Sequence, residues 1–308
     1  MIRVTPAVQR ALNNRQAVVA LESSVLAQGL PIPQNRQAAE RMVAAVERSG
    51  AVAAITAVVG GVPTVGLEPD ELERFLRRDG VRKVSARDIP GAVANHLDGA
   101  TTVAASLSLA SGVAGVEVFA TGGIGGVHRG APFDESADLA ELARTPMIVV
   151  CAGAKSILDL PATWELLESL GVPVVGFQTD ELPGFFTAET GIRLDTRADD
   201  PSQIVTMFRA HRSLGRMQSI LVVQRPPASH ALDRVAVERA VAHAQAEATK
   251  AGVTGREVTP YLLAAVTRLT GGGSLEANLM LLERNSEVAG EIATICCADG
   301  GGFLPARY

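Results

Sequence analysis

Three segments place charged side chains directly after short apolar runs, where glycine lets the backbone turn sharply. In Val149–Ser156 the run ends in Cys151-Ala152-Gly153-Ala154-Lys155, a lysine at an expected strand-to-helix junction. The positive end of a helix dipole and partial burial both disfavour an ammonium, so a neutral, nucleophilic amine is expected at Lys155. The plain structural alternative is a lysine whose stem is covered and whose head reaches water. The string is not a P-loop, because Ala154 separates Gly153 from Lys155 and Val149 stands where a glycine belongs. Glu22 follows the run Ala17–Leu21 and precedes a loop with Pro31 and Pro33. A carboxyl group there suits a general acid with a raised pKa, or is simply a strand-end glutamate facing water.

The third segment, Thr121–Gly130, carries glycines at 122, 123, 125 and 126 and leads to His128, then Asp134, Glu135, Ser136, Ala137 and Asp138. The glycines allow close approach of backbone to a ligand. The polar groups could hold a hard cation such as Mg²⁺ or Mn²⁺ better than zinc. Alternatively, Ser136 caps the following helix and Asp138 complements its dipole. The glycine spacing does not spell a dinucleotide fingerprint, since His128 occupies the third glycine position. Two further segments could meet a phosphate. Lys83 lies among the cations of Arg82–Asp88, which could equally be a solvated surface strand, and Gly99–Ser106 opens an apolar helix with Thr101 as its possible N-cap. The Asn278 amide could read a base edge or face solvent.

These residues need a scaffold, and the hydrophobic pattern supplies one. Strands are expected at 17–21, 53–59, 62–67, 116–120, 147–152, 172–177 and 219–223. Helices are expected at 34–49, 69–79, 101–111, 137–144, 156–170 and 203–214. Alternation of this kind predicts an α/β fold, a three-layer α/β/α arrangement with a mixed, mostly parallel sheet. The mixing comes from 53–59 and 62–67, which read as an antiparallel hairpin joined at Gly60-Gly61. After Pro226 only helices are expected, at 232–250, 258–269 and 274–296, forming a helical C-terminal section. The pattern reads as one domain over 1–308 with a loose tail over its last ten or so residues.

Composition narrows the function class. Of 308 residues, 47% are hydrophobic and the net charge is -5, which suits a buried sheet and argues against a nucleic-acid scaffold. The three cysteines, Cys151, Cys296 and Cys297, form neither a disulfide framework nor a zinc spacing, so a reducing cytoplasm is the expected setting. No signal-peptide run opens the chain and no apolar stretch is long enough for a bilayer, so no membrane partner is expected.

Together the strings ALESS (20–24), PQNRQAA (33–39), KVSARD (83–88), GATTVAAS (99–106), FATGGIGGVHRG (119–130), FDESADL (133–139), VVCAGAKSILDLPAT (149–163), GVPVVGFQTDELPGFF (171–186) and TGGGSLEANLMLL (270–282) resemble the pseudouridine-5'-phosphate glycosidases, a family that includes indigoidine-cluster A-type proteins. The resemblance implies reversible cleavage of a carbon–carbon glycosidic bond to uracil and ribose 5-phosphate, through ring opening and a lysine Schiff base. It makes Lys155 the nucleophile and Glu22 the proton donor. It places Lys83, Val103 (through its backbone), Ser136, Ala137, Asp138, Thr121, His128 and Asn278 around the substrate. Asp134 matches a metal position holding Mn²⁺, or another divalent cation, largely through waters, and the implied assembly is a homotrimer. Two other classes use the same residues differently. A Schiff-base aldolase or lyase would need Lys155 but no base pocket, and a nucleotide-sensing interaction protein would bind without turnover.

Overall fold

Apolar residues occupy both faces of the central strands, and the alternation of neighbours decides which layer each meets. Val18 and Ala20 point into one core while Val19 and Leu21 point into the other; Val149 and Cys151 against Ile148 and Val150, and Leu221 and Val223 against Ile220 and Val222, repeat the pattern. Strands buried on both sides read as continuous Val/Ile/Leu runs for this reason. The computed structural model describes residues 1–130 and 134–298. Its strands are Arg3–Val4 (β1), Val18–Leu21 (β2), Val52–Val59 (β3), Val62–Val65 (β4), Arg82–Val84 (β5), Gly99–Thr101 (β6), Val118–Ala120 (β7), Val127–His128 (β8), Ile148–Cys151 (β9), Leu158–Asp159 (β10), Val174–Phe177 (β11), Arg197–Ala198 (β12) and Ile220–Val223 (β13). The helices are Pro6–Asn13 (α1), Gln34–Arg48 (α2), Pro69–Arg77 (α3), Ile89–Ala94 (α4), Val103–Ala110 (α5), Ala137–Leu142 (α6), Leu160–Ser169 (α7), Pro201–Ser213 (α8), Arg234–Lys250 (α9), Val258–Leu269 (α10) and Gly273–Ala298 (α11).

The main sheet runs β1-β4-β3-β2-β7-β9-β13-β11-β12, with β6 on β3 and β5 on β6; β8 and β10 pair separately. Its ladders are parallel except for the β3–β4 hairpin and the β3–β6 pair, so the expected mixed, mostly parallel α/β sheet is what forms. From β2 the chain crosses through α2 to β3 on one side, and from β7 it crosses through α6 to β9 on the other. α2 and α6 pack against opposite faces. The carboxyl ends of β2 and β7 are therefore a topological switch point, where the diverging connections leave a crevice for a ligand. α11 covers one face with α2 and α8, while α9 and α10 pack on each other.

Of the expected boundaries that move, two bear on the site. Residues 99–101 form β6 rather than the start of a helix, because Ala100 and Gly99 pair with Ala57 and Val58. The cap is Thr102, whose side chain accepts from Ala105 N, not Thr101, which is fully buried. The helix expected from 156 starts at Leu160, where Asp159 accepts a bond from Ala162 N at 3.0 Å and Pro161 enters the first turn. α1 and β1 were absent from the pattern reading; β1 is two residues long and pairs only with the distant β4. The expected C-terminal tail, 299–308, lies outside the described residues.

Candidate active site

Glu22 is the first residue after β2 and is 4% exposed. Two hydroxyls hold its carboxylate: Ser24 donates to Oε2 at 2.5 Å, and Thr121, the first residue after the neighbouring β7, donates to Oε1. The adjacency of β2 and β7 in the sheet thus aims the acid. The Thr121 carbonyl is itself fixed from the opposite layer, since Asn285 of α11 donates its amide to Thr121 O at 2.7 Å and Gly122 O at 3.2 Å. Gln224, just after β13, closes this buried chain by donating to Asn285 Oδ1 at 2.7 Å.

Lys155 lies past β9, in a turn where its N–H donates to Ile124 O at 3.1 Å and its carbonyl accepts from Leu158 N at 3.0 Å. Because α7 starts only at Leu160, Lys155 is not at a helix N-terminus, and the expected helix-dipole effect does not arise. The glycines make the approach of these two loops possible. A Cβ at Gly123 would sit 2.6 Å from the Phe185 ring and 2.9 Å from Gly153 O, and Gly153 itself has φ +85°. Lys83, on β5, reaches the same cavity. Its ammonium is pushed below the usual lysine range, first by burial and then by repulsion from Lys155, with Glu22 and Asp138 opposing. One cavity is therefore lined by Glu22, Lys83, Thr121, Lys155 and Asn278 together. Phe185, Thr259, Pro260 and Leu263 close it on the apolar side.

The remaining expected residues surround this centre unequally. Val103 is the first residue of α5, whose start is tied to the Lys83 strand by Thr102 N donating to Val84 O at 3.0 Å. Asp138 is 6% exposed, and its carboxylate accepts from Ala104 N at 2.9 Å and Gly125 N at 2.8 Å. It ties the first turn of α5 to the glycine loop instead of facing outward. Ser136 caps α6 through Asp138 N at 3.2 Å, and Ala137 is exposed. His128 sits on β8 with Nδ1 3.2 Å from Asp134 Oδ2. The geometry is off line, and among the described residues neither ring nitrogen has a hydrogen-bond partner. Neither His128 nor Asp134 is on the cavity wall.

The expected carboxylate cluster does not assemble: among the described residues no group of three His, Cys, Asp or Glu side chains could hold a metal ion. Asp138 is used by backbone, while Asp134 and Glu135 are exposed. A cation held by one carboxylate and a shell of water still fits Asp134, whose side chain is 54% exposed beside an unsatisfied imidazole. Cys151 is inert: burial pushes its thiol up to about 12, although Gly153 N–H donates to the sulfur.

The chain matches the model of the indigoidine synthase A like proteins over residues 7–295. The chain belongs to this family. It is 62% identical over 291 residues to the pseudouridine-5'-phosphate glycosidase of Gemmatimonas aurantiaca, covering 94% of this chain and 95% of that one. It is 47% identical to the Escherichia coli protein of the same name, covering 95% of each. Among solved structures, the prealnumycin C-glycosynthase in complex with ribulose 5-phosphate superposes with a TM-score of 0.89 at 38% identity, covering 97% of this chain and 98% of that one. An indigoidine synthase A-like protein from Thermotoga maritima gives 0.88 at 34% identity, covering 96% and 97%. The resemblance read from the strings is thereby borne out at the level of family and fold.

Several lining residues escaped the sequence reading. Ser24 lay inside the ALESS string with no role given to it. Gln28, on a π-helical turn, carried no signal, and neither did Asn285, which lies behind the wall and reaches the site only by bonding the Thr121 and Gly122 carbonyls. Phe185 has φ +67°, an unusual conformation for a bulky residue that marks functional turns.

Proposed function

We propose that this chain cleaves the C–C glycosidic bond of pseudouridine 5'-phosphate to uracil and ribose 5-phosphate, reversibly, through an adduct on Lys155. The observation that carries the reading is the convergence of Lys155, Glu22 and Lys83 on one largely buried cavity at the switch point. The names of the glycosidase relatives, and a sugar phosphate held by the C-glycosynthase relative, support it. A C-glycoside has no leaving oxygen, so the two-carboxylate route of ordinary glycosidases has nothing to protonate at the scissile link. Opening the ribose ring solves this. The neutral Lys155 Nζ attacks C1' while Glu22 gives a proton to the ring oxygen, breaking the C1'–O bond. The adduct nitrogen, an ammonium after the attack, gives a proton back to the Glu22 carboxylate, which passes it to uracil C5; the C5–C1' bond then breaks as the freed amine lone pair forms an imine, which water hydrolyses. Ser24 and Thr121 keep Glu22 on the ring oxygen, and as hydroxyls they both donate and accept when its proton moves.

Lys83, together with the α5 start at Val103 that Asp138 holds in place, forms the end of the site suited to the phosphate. A divalent cation such as Mn²⁺ would be held by Asp134 through water, and when bound it would offset phosphate charge. A single domain and a homotrimer acting in the cytoplasm complete the proposal. Among the described residues no helix is long and apolar enough to cross a membrane. The C-glycosynthase likeness favours a second reading, bond formation onto a different ring; release of uracil separates the two.

Borohydride trapping tests the mechanism: protein, Mn²⁺ and ribose 5-phosphate are incubated, reduced and mapped by mass spectrometry. A pentose-phosphate adduct on Lys155, and synthesis of pseudouridine 5'-phosphate when uracil replaces reductant, are expected. No adduct at Lys155 and no turnover in either direction would sink the covalent mechanism.

A further inference from the structure

Gln28 lies on the π-helical turn Val25–Gly29, directly after the segment that carries Glu22 and Ser24. A π-turn is a local departure from the α-helix that recurs at functional sites, because the wider turn re-aims a side chain. Here Gln28 Nε2 donates to Val81 O at 3.3 Å, which settles the amide orientation and turns Oε1 the other way. Gln28 lines the catalytic cavity and the adjoining groove beneath α10, and its Oε1 is buried with no hydrogen-bond partner among the described residues. Asn278 of α11 lines the same two spaces, is 8% exposed, and has Oδ1 in the same state. Leaving a buried acceptor unpaired is costly, so two at one place call for donors. Around them the wall is apolar: Phe185, Pro260 and Leu263 offer flat packing surface.

We propose that Gln28 is a base-reading, specificity-determining residue, its Oε1 accepting one ring N–H of the uracil while Asn278 meets the other. The inference rests on the glycosidase reading above. In pseudouridine 5'-phosphate the sugar is attached at C5, so the ring edge pointing away from ribose carries N1–H, the C2 carbonyl and N3–H. Two acceptors flanking that edge satisfy both donors. In uridine 5'-phosphate N1 holds the sugar and the far edge carries a single N–H, leaving one acceptor unpaired. A site built to hydrogen-bond a donor rejects the analogue that lacks it. The C-glycoside is thus selected by the same feature that makes its bond hard to break.

The test reads steady-state uracil release by wild type, Gln28→Met and Gln28→Ala from pseudouridine 5'-phosphate and its N1-methyl and N3-methyl derivatives. Gln28→Met keeps bulk and removes the acceptor; KM should rise roughly 10-fold with a smaller change in kcat. Wild type should lose about 10-fold in kcat/KM on each methylated substrate. In Gln28→Ala, which makes room for a methyl, one of those two penalties should shrink to within about 3-fold of none. An unchanged KM in Gln28→Met, or the same methyl penalties in Gln28→Ala as in wild type, overturns the assignment. Should the variants fold poorly, wild type alone still decides, because equal turnover of both methylated substrates and the parent shows that no ring N–H is read. Wild type that releases no uracil at all defeats the function itself, a distinct outcome.

Discussion

Replacing Asn285 by leucine tests whether the acid is aimed from the opposite layer of the fold. Asn285 is fully buried, bonds the Thr121 and Gly122 carbonyls, and accepts from Gln224. Gly122 O keeps a second bond from Ala152 N at 2.9 Å, so the leucine variant orphans two groups, Thr121 O and Gln224 Nε2. At about 1–3 kcal/mol per buried unsatisfied group, Asn285→Leu should cost about 2–6 kcal/mol of stability. Gln224→Leu orphans only Asn285 Oδ1 and should cost about 1–3 kcal/mol. The double variant leaves only Thr121 O exposed to the same penalty, about 1–3 kcal/mol again, so the single effects should overshoot the double by at least about 2 kcal/mol. Urea denaturation of the four proteins measures this directly. The catalytic consequence follows from Thr121, whose hydroxyl holds Glu22. In the folded fraction kcat should fall by about 10-fold or more while KM changes little, the mark of a misaligned reacting group. Additive stabilities, or an Asn285→Leu enzyme with wild-type kcat, would refute the chain from Gln224 to Glu22.

Three further expectations concern charge, space and reactivity. Burial and Lys155 depress the Lys83 pKa in the folded chain, so between that lowered value and the ordinary 10.5 the unfolded state binds more protons and stability rises with pH. Lys83→Met should therefore raise Tm at pH 7, with the advantage shrinking towards pH 10.5; a lower Tm at pH 7 contradicts this. Gly125→Ala would put a Cβ 2.2 Å from Ser136 Oγ and 2.9 Å from Asp138 Oδ2, breaking the tether between the glycine loop and α5. A loss of about 2–4 kcal/mol and a raised KM for the phosphate-bearing substrate are expected, against no change in KM if the tether is unrelated to binding. With its thiol pushed up to about 12 and fully buried, Cys151 should resist iodoacetamide at pH 8 while the partly exposed Cys297 is alkylated, as peptide mapping of the native protein would show. Early labelling of Cys151 would count against the closed core.

Much of this molecule was legible in local pattern. The seven longer strand runs all became strands, because residues buried on both faces must be apolar whatever they pair with. Glu22 and Lys155 were recognisable as candidates because each comes just after such a run, and strand ends are where a parallel sheet presents side chains, whereas Thr121 entered only through the family resemblance. What local pattern lacks is pairing across distance. Gly99–Thr101 looks like the opening of an apolar helix until its partner, some forty residues away in β3, claims it as a strand. Asp138 has the position of a helix-start or metal-site carboxylate, yet the Ala104 and Gly125 amides draw it inward by donating to its two oxygens. Lys155 has the position of a helix-start lysine, whereas α7 begins only at Leu160 and the residue that shares its cavity, Lys83, comes in on β5 from 72 positions earlier. Gln28 and Asn285 had no sequence signature at all, because an amide becomes functional only when its neighbours leave one atom unpaired or supply it with carbonyls. Spacing along the chain fixes which face a side chain takes within its own element. The direction in which its polar atoms are finally used depends on which unsatisfied groups the other layers bring to it, and that is settled only when the sheet and its covering helices close.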